Sequence, residues 1–257
     1  MDTIKQRLAR NEIIRVIGLG RITHHAMLQM IGMQGGFQAL WFDQEHCGLT
    51  VEQLEIATLA ARSQGLDSFV RVAPTDYAIV TRCIEAGSSG IMAAQVFTAK
   101  QAEEITRWTK FSPRGTRGLN SSGFDGGYGT VALAEHCERA NRDTFLAIQI
   151  ETAQSVEECD AIAAIDGVDM LFVGPADLSQ SLGVTGDFFN DKCIAAIDRV
   201  AAACKKHGKH WGAVTVSPEH AALLVEKGCT MVSPTNDTKL IGLGLKALKS
   251  QYAALFD

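Results

Sequence analysis

Residues 145–179 read FLAIQIETAQSVEECDAIAAIDGVDMLFVGPADLS, and the alternation in this segment decides the fold. An apolar run, Phe145–Ile150, is followed by a longer amphipathic stretch and a second apolar run, Met170–Val173, the order of a strand–helix–strand unit feeding a parallel sheet. A two-residue period puts Ile148 and Ile150 on one face of the first strand and sends Gln149 and Glu151 to the other.

Outward from this unit the pattern repeats. Eight strand candidates lie near Ile13–Ile17, Ala39–Phe42, Ser68–Val72, Gly90–Ala93, Phe145–Ile150, Met170–Val173, His210–Val214 and Met231–Ser233, each followed by a helix-like segment such as Val51–Ser63 or Lys192–Lys206. Gly65, Gly87, Gly208 and Gly228 fall where helices should end before the next strand, positions at which a left-handed cap favours glycine. Eight such pairs predict one α/β domain over residues 1–257, a single (β/α)8 TIM barrel. No Pro-rich linker or repeat divides the chain; the one long irregular stretch, Ser112–Gly129, is rich in Gly and Ser and precedes a helix near Val131–Asn141. The last helix, Asp237–Leu255, packs on its own barrel or reaches a neighbouring subunit.

A net charge of −5 with scattered Lys and Arg provides no basic footprint for nucleic acid or an anionic membrane. Seven cysteines, an odd number with no C-x-x-C pair, argue against a disulfide framework and a structural zinc site, and read as reduced thiols in the cytoplasm. Met1 to Arg10 is polar and mixed in charge, unlike a signal peptide, and no apolar run approaches the ~20 residues of a membrane span.

In such a barrel, catalytic groups lie at the carboxyl ends of strands. Strand two exits into Asp43-Gln44-Glu45-His46, where His46 is a candidate general base beside carboxylates; the plainer alternative makes Asp43 and Glu45 exposed loop charges. Arg71, between Val70 and Val72, suits an enolate oxygen or a carboxylate, or else a structural ion pair at a neighbouring strand end. Glu151 and Asp177, one βα unit apart on strands spaced about 4.8 Å, can converge on one hard divalent cation, although Asp177 taken singly is also a helix cap. The turn Gly174-Pro175-Ala176-Asp177 opens a helix whose backbone N–H groups can receive a carboxylate. Gly18-Leu19-Gly20-Arg21-Ile22 imitates a dinucleotide turn but has Thr23 at the third glycine position; Arg21, Thr23, His24 and His25 are placed instead on a loop that can touch substrate. Cys47, next to His46, reads as a small buried hydrophobe rather than a nucleophile.

At these residues the chain resembles the HpcH/HpaI aldolases, metal-dependent class II pyruvate aldolases, through Phe42-Asp43-Gln44-Glu45-His46, Val70-Arg71, Pro113-Arg114-Gly115-Thr116-Arg117-Gly118, Gln149-Ile150-Glu151-Thr152, Gly174-Pro175-Ala176-Asp177-Leu178-Ser179 and Asp237-Thr238. The resemblance implies cleavage of a 4-hydroxy-2-oxo acid to pyruvate and an aldehyde through the pyruvate enolate. It implies that Glu151 and Asp177 hold Mg²⁺, Mn²⁺ or Co²⁺, that His46 with Asp43 moves protons through a water, that Arg71 faces the keto and enolate oxygen, that Gln149 orients substrate, and that the Gly174–Asp177 backbone (Gly174, Pro175, Ala176, Asp177) receives the pyruvate carboxylate. It further implies a homohexamer that exchanges its C-terminal helix, with Glu85 at the acidic position that reaches a neighbour's site. Gln44, Ala94 and residues 121–129 depart from the common pattern on the acceptor side. Rival readings are a coenzyme A ester lyase of the malyl or citramalyl type and a non-catalytic barrel that binds a keto acid.

Overall fold

A computed structural model describes residues 1–256. Eight parallel strands, β1 (Ile14–Leu19), β2 (Ala39–Asp43), β3 (Asp67–Val72), β4 (Gly90–Ala93), β5 (Phe145–Ile150), β6 (Met170–Val173), β7 (His210–Val214) and β8 (Met231–Asn236), pair in chain order and close where β8 meets β1. The helices are α1 (Ile4–Ala9), α2 (His25–Gln34), α3 (Val51–Ser63), α4 (Tyr77–Glu85), α5 (Ala99–Thr109), α6 (Leu133–Asp143), α7 (Ala153–Ala164), α8 (Pro175–Ser181), α9 (Asp191–His207), α10 (Pro218–Glu226) and α11 (Asp237–Gln251). This is the expected (β/α)8 barrel, with α1 ahead of it and α6 and α8 inserted between strands.

Local chemistry sets the boundaries. Thr50 and Gln53 close a capping box at the start of α3, and Gly208 ends α9 in the left-handed region at φ 63°, its N–H on the carbonyls of Cys204 and Lys205. Gly65, Gly87 and Gly228 also take positive φ, as their positions demanded. The first and last strands run longer than their apolar cores suggested: β1 continues through Gly18 to Leu19, and β8 continues through Pro234 to Asn236, because closure of the barrel pairs Ile17 with Thr235 and Gly18 with Asn236. The last helix stops at Gln251, and a 3-10 turn, Ala253–Leu255, replaces its expected end.

Two apolar layers follow from the strand period. Side chains such as Ile148, Ile150, Leu171 and Val173 face outward into the shell beneath the helices, while Val16, Trp41, Phe69, Phe145 and Phe172 fill the barrel interior. Ile4 and Leu8, one turn apart on α1, join the inner cluster and plug the amino end, a role hidden inside what reads as a polar leader. The seven cysteines are free thiols, five of them buried. Among the described residues no helix is long and apolar enough to cross a membrane.

Candidate active site at the carboxyl ends of the strands

Strand register builds the mouth. β2 pairs with β3 so that Asp43 faces Arg71, and the same inward face carries Trp41 one layer below. The Asp43 carboxylate takes a forked pair of hydrogen bonds from Arg71, Nε to Oδ1 at 3.1 Å and Nη2 to Oδ2 at 2.7 Å. Arg71 Nη1 lies 3.1 Å from Glu45 Oε2, and its guanidinium carbon sits 4.6 Å above the Trp41 ring. Arg71 is thus a structural ion pair that also lines the mouth cavity.

The Asp43 carboxylate makes no direct bond to the His46 ring among the described residues. Asp43 Oδ1 instead accepts the backbone N–H groups of Glu45 and His46 at 3.0 and 3.3 Å, shaping the turn, and its remaining capacity goes to Arg71. The carboxylate facing the His46 ring is Glu45, at 3.7 Å, and Glu45 is not an exposed loop charge: its side chain is 8% exposed against 63% for His46. Only the three-dimensional turn separates these two acids, which lie two residues apart in sequence.

On β5, Gln149 points inward and Glu151 follows it just beyond the strand end, as the alternation predicted. Glu151 is 1% exposed. Its Oε1 accepts the backbone and side-chain N–H of Gln95 at 2.8 and 3.2 Å, and its Oε2 accepts the Gln149 amide. Burial, opposed by the Gln95 N–H and reinforced by the charges of Glu45 and Asp177, pushes the Glu151 carboxyl above the usual carboxylate range. Gln95 reaches this position with φ 56°, a left-handed conformation, and nothing in the sequence singles it out. Gln149 Oε1 is buried with no partner among the described residues, an acceptor aimed into the mouth.

Gly174 follows β6 and has no room for a side chain: a Cβ there would lie 2.9 Å from Gln149 Nε2 and 3.2 Å from Glu151. Its N–H is spent on Ile150 O at 3.1 Å and Pro175 has none, so the expected four-residue carboxylate cradle reduces to the N–H groups of Ala176 and Asp177. Asp177 stands in the first turn of α8.

Asp237 was the site residue whose role the sequence did not disclose. Its Oδ2 accepts the N–H groups of Gly20, Arg21 and Ile22 at 2.9, 2.6 and 2.8 Å, and its Oδ1 accepts that of Thr238 at 2.8 Å. Burial opposes the charge, but these four bonds together outweigh it and hold Asp237 below the usual carboxylate range. The turn that imitates a dinucleotide site thus has its anion already, and its glycines serve packing: a Cβ on Gly18 would strike Trp41 and one on Gly20 would strike Cys47.

Two cavities that share Trp41 and Arg71 in their walls occupy the mouth. The inner one, about 140 Å³, is lined by Gln149, Phe172, Gly174, Ala176 and Asp177; the outer one, about 280 Å³, by Asp43, His46, Arg21, Asn236 and Thr238; Trp41 and Arg71 border both. Glu85 lies elsewhere, at the end of α4 remote from this mouth, where its carbonyl accepts Phe124 N–H at 3.0 Å and its carboxylate is 4.0 Å from Arg117. Residues 121–129 are at that same amino-terminal end, not around the acceptor side of their own barrel.

Glu151 and Asp177 are hard oxygen donors whose charges repel one another, and an unpartnered amide oxygen adjoins them; this chemistry fits a hard divalent cation with water or substrate completing its shell. Among the described residues no three His, Cys, Asp or Glu side chains converge at ligand spacing, so the protein would offer two carboxylates and no closed cage.

A parallel barrel with this polar mouth defines the class, an enzyme working at the carboxyl ends of its strands. The sequence signature described as HpcH/HpaI aldolase/citrate lyase matches residues 21–242, and the chain belongs to that family. It is 32% identical over 215 residues to 4-hydroxy-4-methyl-2-oxoglutarate aldolase tasA of Hapsidospora irregularis, covering 82% of this chain and 78% of the relative. It is 32% identical over 209 residues to 5-keto-4-deoxy-D-glucarate aldolase of Klebsiella pneumoniae, covering 81% and 80% of the two chains. Its backbone is similar to the crystal structure of an HpcH/HpaI aldolase from Desulfitobacterium hafniense, with a TM-score of 0.89, 26% identity and 97% of each chain covered. The protein is a carbon–carbon lyase, and the non-catalytic reading falls.

Proposed function

We propose that this lyase cleaves a 4-hydroxy-2-oxo acid to pyruvate and an aldehyde, and runs the reverse condensation, through the enolate of pyruvate at a divalent-metal site. Glu151 carries the reading: it is a fully buried strand-end carboxylate, raised by burial and by neighbouring acids, beside an amide oxygen with no partner. A cation and a keto acid would relieve both strains. The two aldolase relatives support the substrate class, since their names specify an oxoglutarate and a keto sugar acid.

Glu151 and Asp177 would hold Mg²⁺, Mn²⁺ or Co²⁺. When bound, such an ion places positive charge beside the carboxylate and ketone oxygens of the keto acid and so acidifies its methyl protons. Arg71, immobilised by Asp43, Glu45 and Trp41, donates to the oxygen that gains charge as the enolate forms. Gln149 orients the keto acid in the inner cavity, with its carboxylate toward the N–H groups of Ala176 and Asp177. In cleavage the hydroxyl proton leaves to His46, the electron pair of the broken bond becomes the enolate, and the enolate carbon takes a proton to give pyruvate. Glu45 is the carboxylate beside His46 in this step.

The chain acts as one domain in a homo-oligomer, with a hexamer expected, in which α11 crosses to a neighbour and Glu85 faces a neighbour's mouth. In support, α11 packs mainly against the ends of β8 and β1 and leaves Leu243, Leu245 and Leu248 about half exposed.

Exchange of the pyruvate methyl protons with deuterium, followed by NMR, tests the chemistry without knowledge of the aldehyde. Exchange is expected in the metal-loaded protein and is expected to vanish on EDTA treatment and in Glu151→Ala. Absence of exchange from metal-replete protein overturns the pyruvate reading, and malyl-coenzyme A is then the substrate to assay.

A further inference from the structure

We infer that Gln44 is a positioning residue for the proton transfer at His46: its side chain ties the turn that carries Glu45 and His46 to its own far end and to α4. This rests on the pyruvate-enolate reading, in which His46 takes the hydroxyl proton, and concerns a residue that lines neither mouth cavity.

The chain leaves β2 in alternation. Asp43 and Glu45 both reach Arg71, whereas Gln44 between them turns the other way, to Cys83 of α4 in the outer apolar shell. Each polar group of Gln44 has a partner. Its backbone N–H donates to Arg71 O at 2.9 Å, continuing the β2–β3 pairing beyond Asp43. Its Nε2 donates to Leu49 O at 2.7 Å, closing the turn just before Thr50 caps α3. Its Oε1 accepts the Cys83 thiol at 3.1 Å. Leu49 O can only accept, so Nε2 must face it and Oε1 must face Cys83. Burial pushes the Cys83 thiol up to about 12, so it keeps the proton that Oε1 needs.

The turn has little else to hold it. Residues 44–49 belong to no helix or strand. Besides the Leu49 bond, the backbone from Glu45 to Leu49 is tied, among the described residues, by the N–H groups of Glu45 and His46 on Asp43 Oδ1 and by Arg21 Nη2 on His46 O. All of these gather at the start of the turn, and Gln44 alone joins that start to its end. The His46 ring is exposed, and the carboxylate it faces, Glu45, stands 3.7 Å away, so the direction of the ring is set by the backbone beneath it. Leu49 packs against the outer apolar cluster and Cys83 is buried in it, which makes both anchors of the Gln44 amide rigid. A general base works only within hydrogen-bond reach of the proton it takes, and a displacement of about 1 Å costs up to about a hundredfold in rate. Gln44 therefore converts the rigidity of the α4 shell into a fixed place for His46.

The test is a double-mutant cycle on the single-turnover rate of condensation, in metal-loaded protein with pyruvate as donor and glycolaldehyde or glyoxylate, whichever the wild type uses faster, as acceptor. Gln44→Met fills the same space without a donor or acceptor. It is expected to lower the rate by about tenfold in the wild-type background and by less than about twofold in His46→Ala, since a displaced ring matters only while the ring is there. Cys83→Ser, which keeps a donor on Gln44 Oε1, should hold the rate within about twofold, and Cys83→Ala should lower it by about threefold. Should Gln44→Met fail to fold, the cycle of Cys83→Ala with His46→Ala gives the same decision. Pyruvate methyl exchange, which the hydroxyl proton transfer does not enter, separates the two layers. Its absence from the wild type overturns the enolate reading and this inference with it. Exchange with no condensation of either aldehyde removes the aldol step, and the inference falls with that step. Normal condensation with equal losses in both backgrounds makes Gln44 a residue of the fold alone and overturns its role at His46.

Discussion

The two ends of this barrel bury charge in opposite ways. At the amino end, Asp67 is 2% exposed and accepts the N–H groups of Ile4 and Ser68 at 2.7 and 2.8 Å together with the Ser89 hydroxyl. Nearby Lys110, also 2% exposed, donates to the carbonyls of Asn141 and Thr144 at 3.1 and 3.0 Å. At the carboxyl end, Glu151 faces the like charges of Glu45 and Asp177, and the Gln149 carbonyl oxygen has no partner. Asp67 and Lys110 are satisfied where they stand, whereas the Gln149 carbonyl oxygen is not. Buried polar groups left short of partners cost stability, and a fold keeps them where they act. The contrast sets Asp67 and Lys110, whose partners belong to the fold itself, apart from Glu151 and Gln149, which face the mouth cavity.

Four substitutions can break or sharpen that contrast. The largest effect is expected for Arg71→Ala: turnover should fall by about two to three orders of magnitude, the value of a preorganised donor to a developing oxyanion. Thermal stability should fall too, since Asp43 and Glu45 lose their cation. His46→Ala should slow the aldol step by about a hundredfold while leaving the melting temperature and Mn²⁺ affinity by calorimetry unchanged, because the exposed ring supports little else. A large stability loss there would blur the two classes. At the floor, Asp67→Ala should cost about 2 kcal/mol in urea unfolding by stranding the Ile4 and Ser68 N–H groups. The folded fraction should exchange pyruvate protons at the wild-type rate.

The smallest effect concerns Lys110, whose ammonium is pushed down by burial to about 8. Above that pH the folded chain has released a proton that the unfolded chain retains up to its ordinary value of 10.5, so stability gains from this group as pH rises through the window and is lost as pH falls through about 8. The difference in unfolding free energy between wild type and Lys110→Met should shift by about 1 kcal/mol from pH 8 to 9. The buried thiols of Cys83, Cys204 and Cys229, raised by burial to about 12, act with the opposite sign in both proteins and cancel in that difference.

What was legible in the sequence was whatever depends on neighbours along the chain. The bounds of β4, β5, β6 and β7 follow from short apolar runs, and the inward aim of Gln149 and Glu151 follows from the strand period. What escaped depends on register and distance. That Asp43 and Glu45 are held against Arg71 rather than exposed follows from the register of β2 beside β3, which sets Asp43 opposite Arg71. Gln95 supports Glu151 only through a left-handed backbone that no residue pattern announces. The plug formed by Ile4 and Leu8 is two apolar residues among charges, meaningful only once a barrel stands above them.

The bonds from Gly20, Arg21 and Ile22 to Asp237 span up to 217 residues. During synthesis, the loop beside the first strand must wait for the residue that follows the last strand before its N–H groups find their carboxylate. A chain that stops before β8 leaves both the barrel seam and this loop open, so the shape of the β1 loop reports whether the barrel has closed.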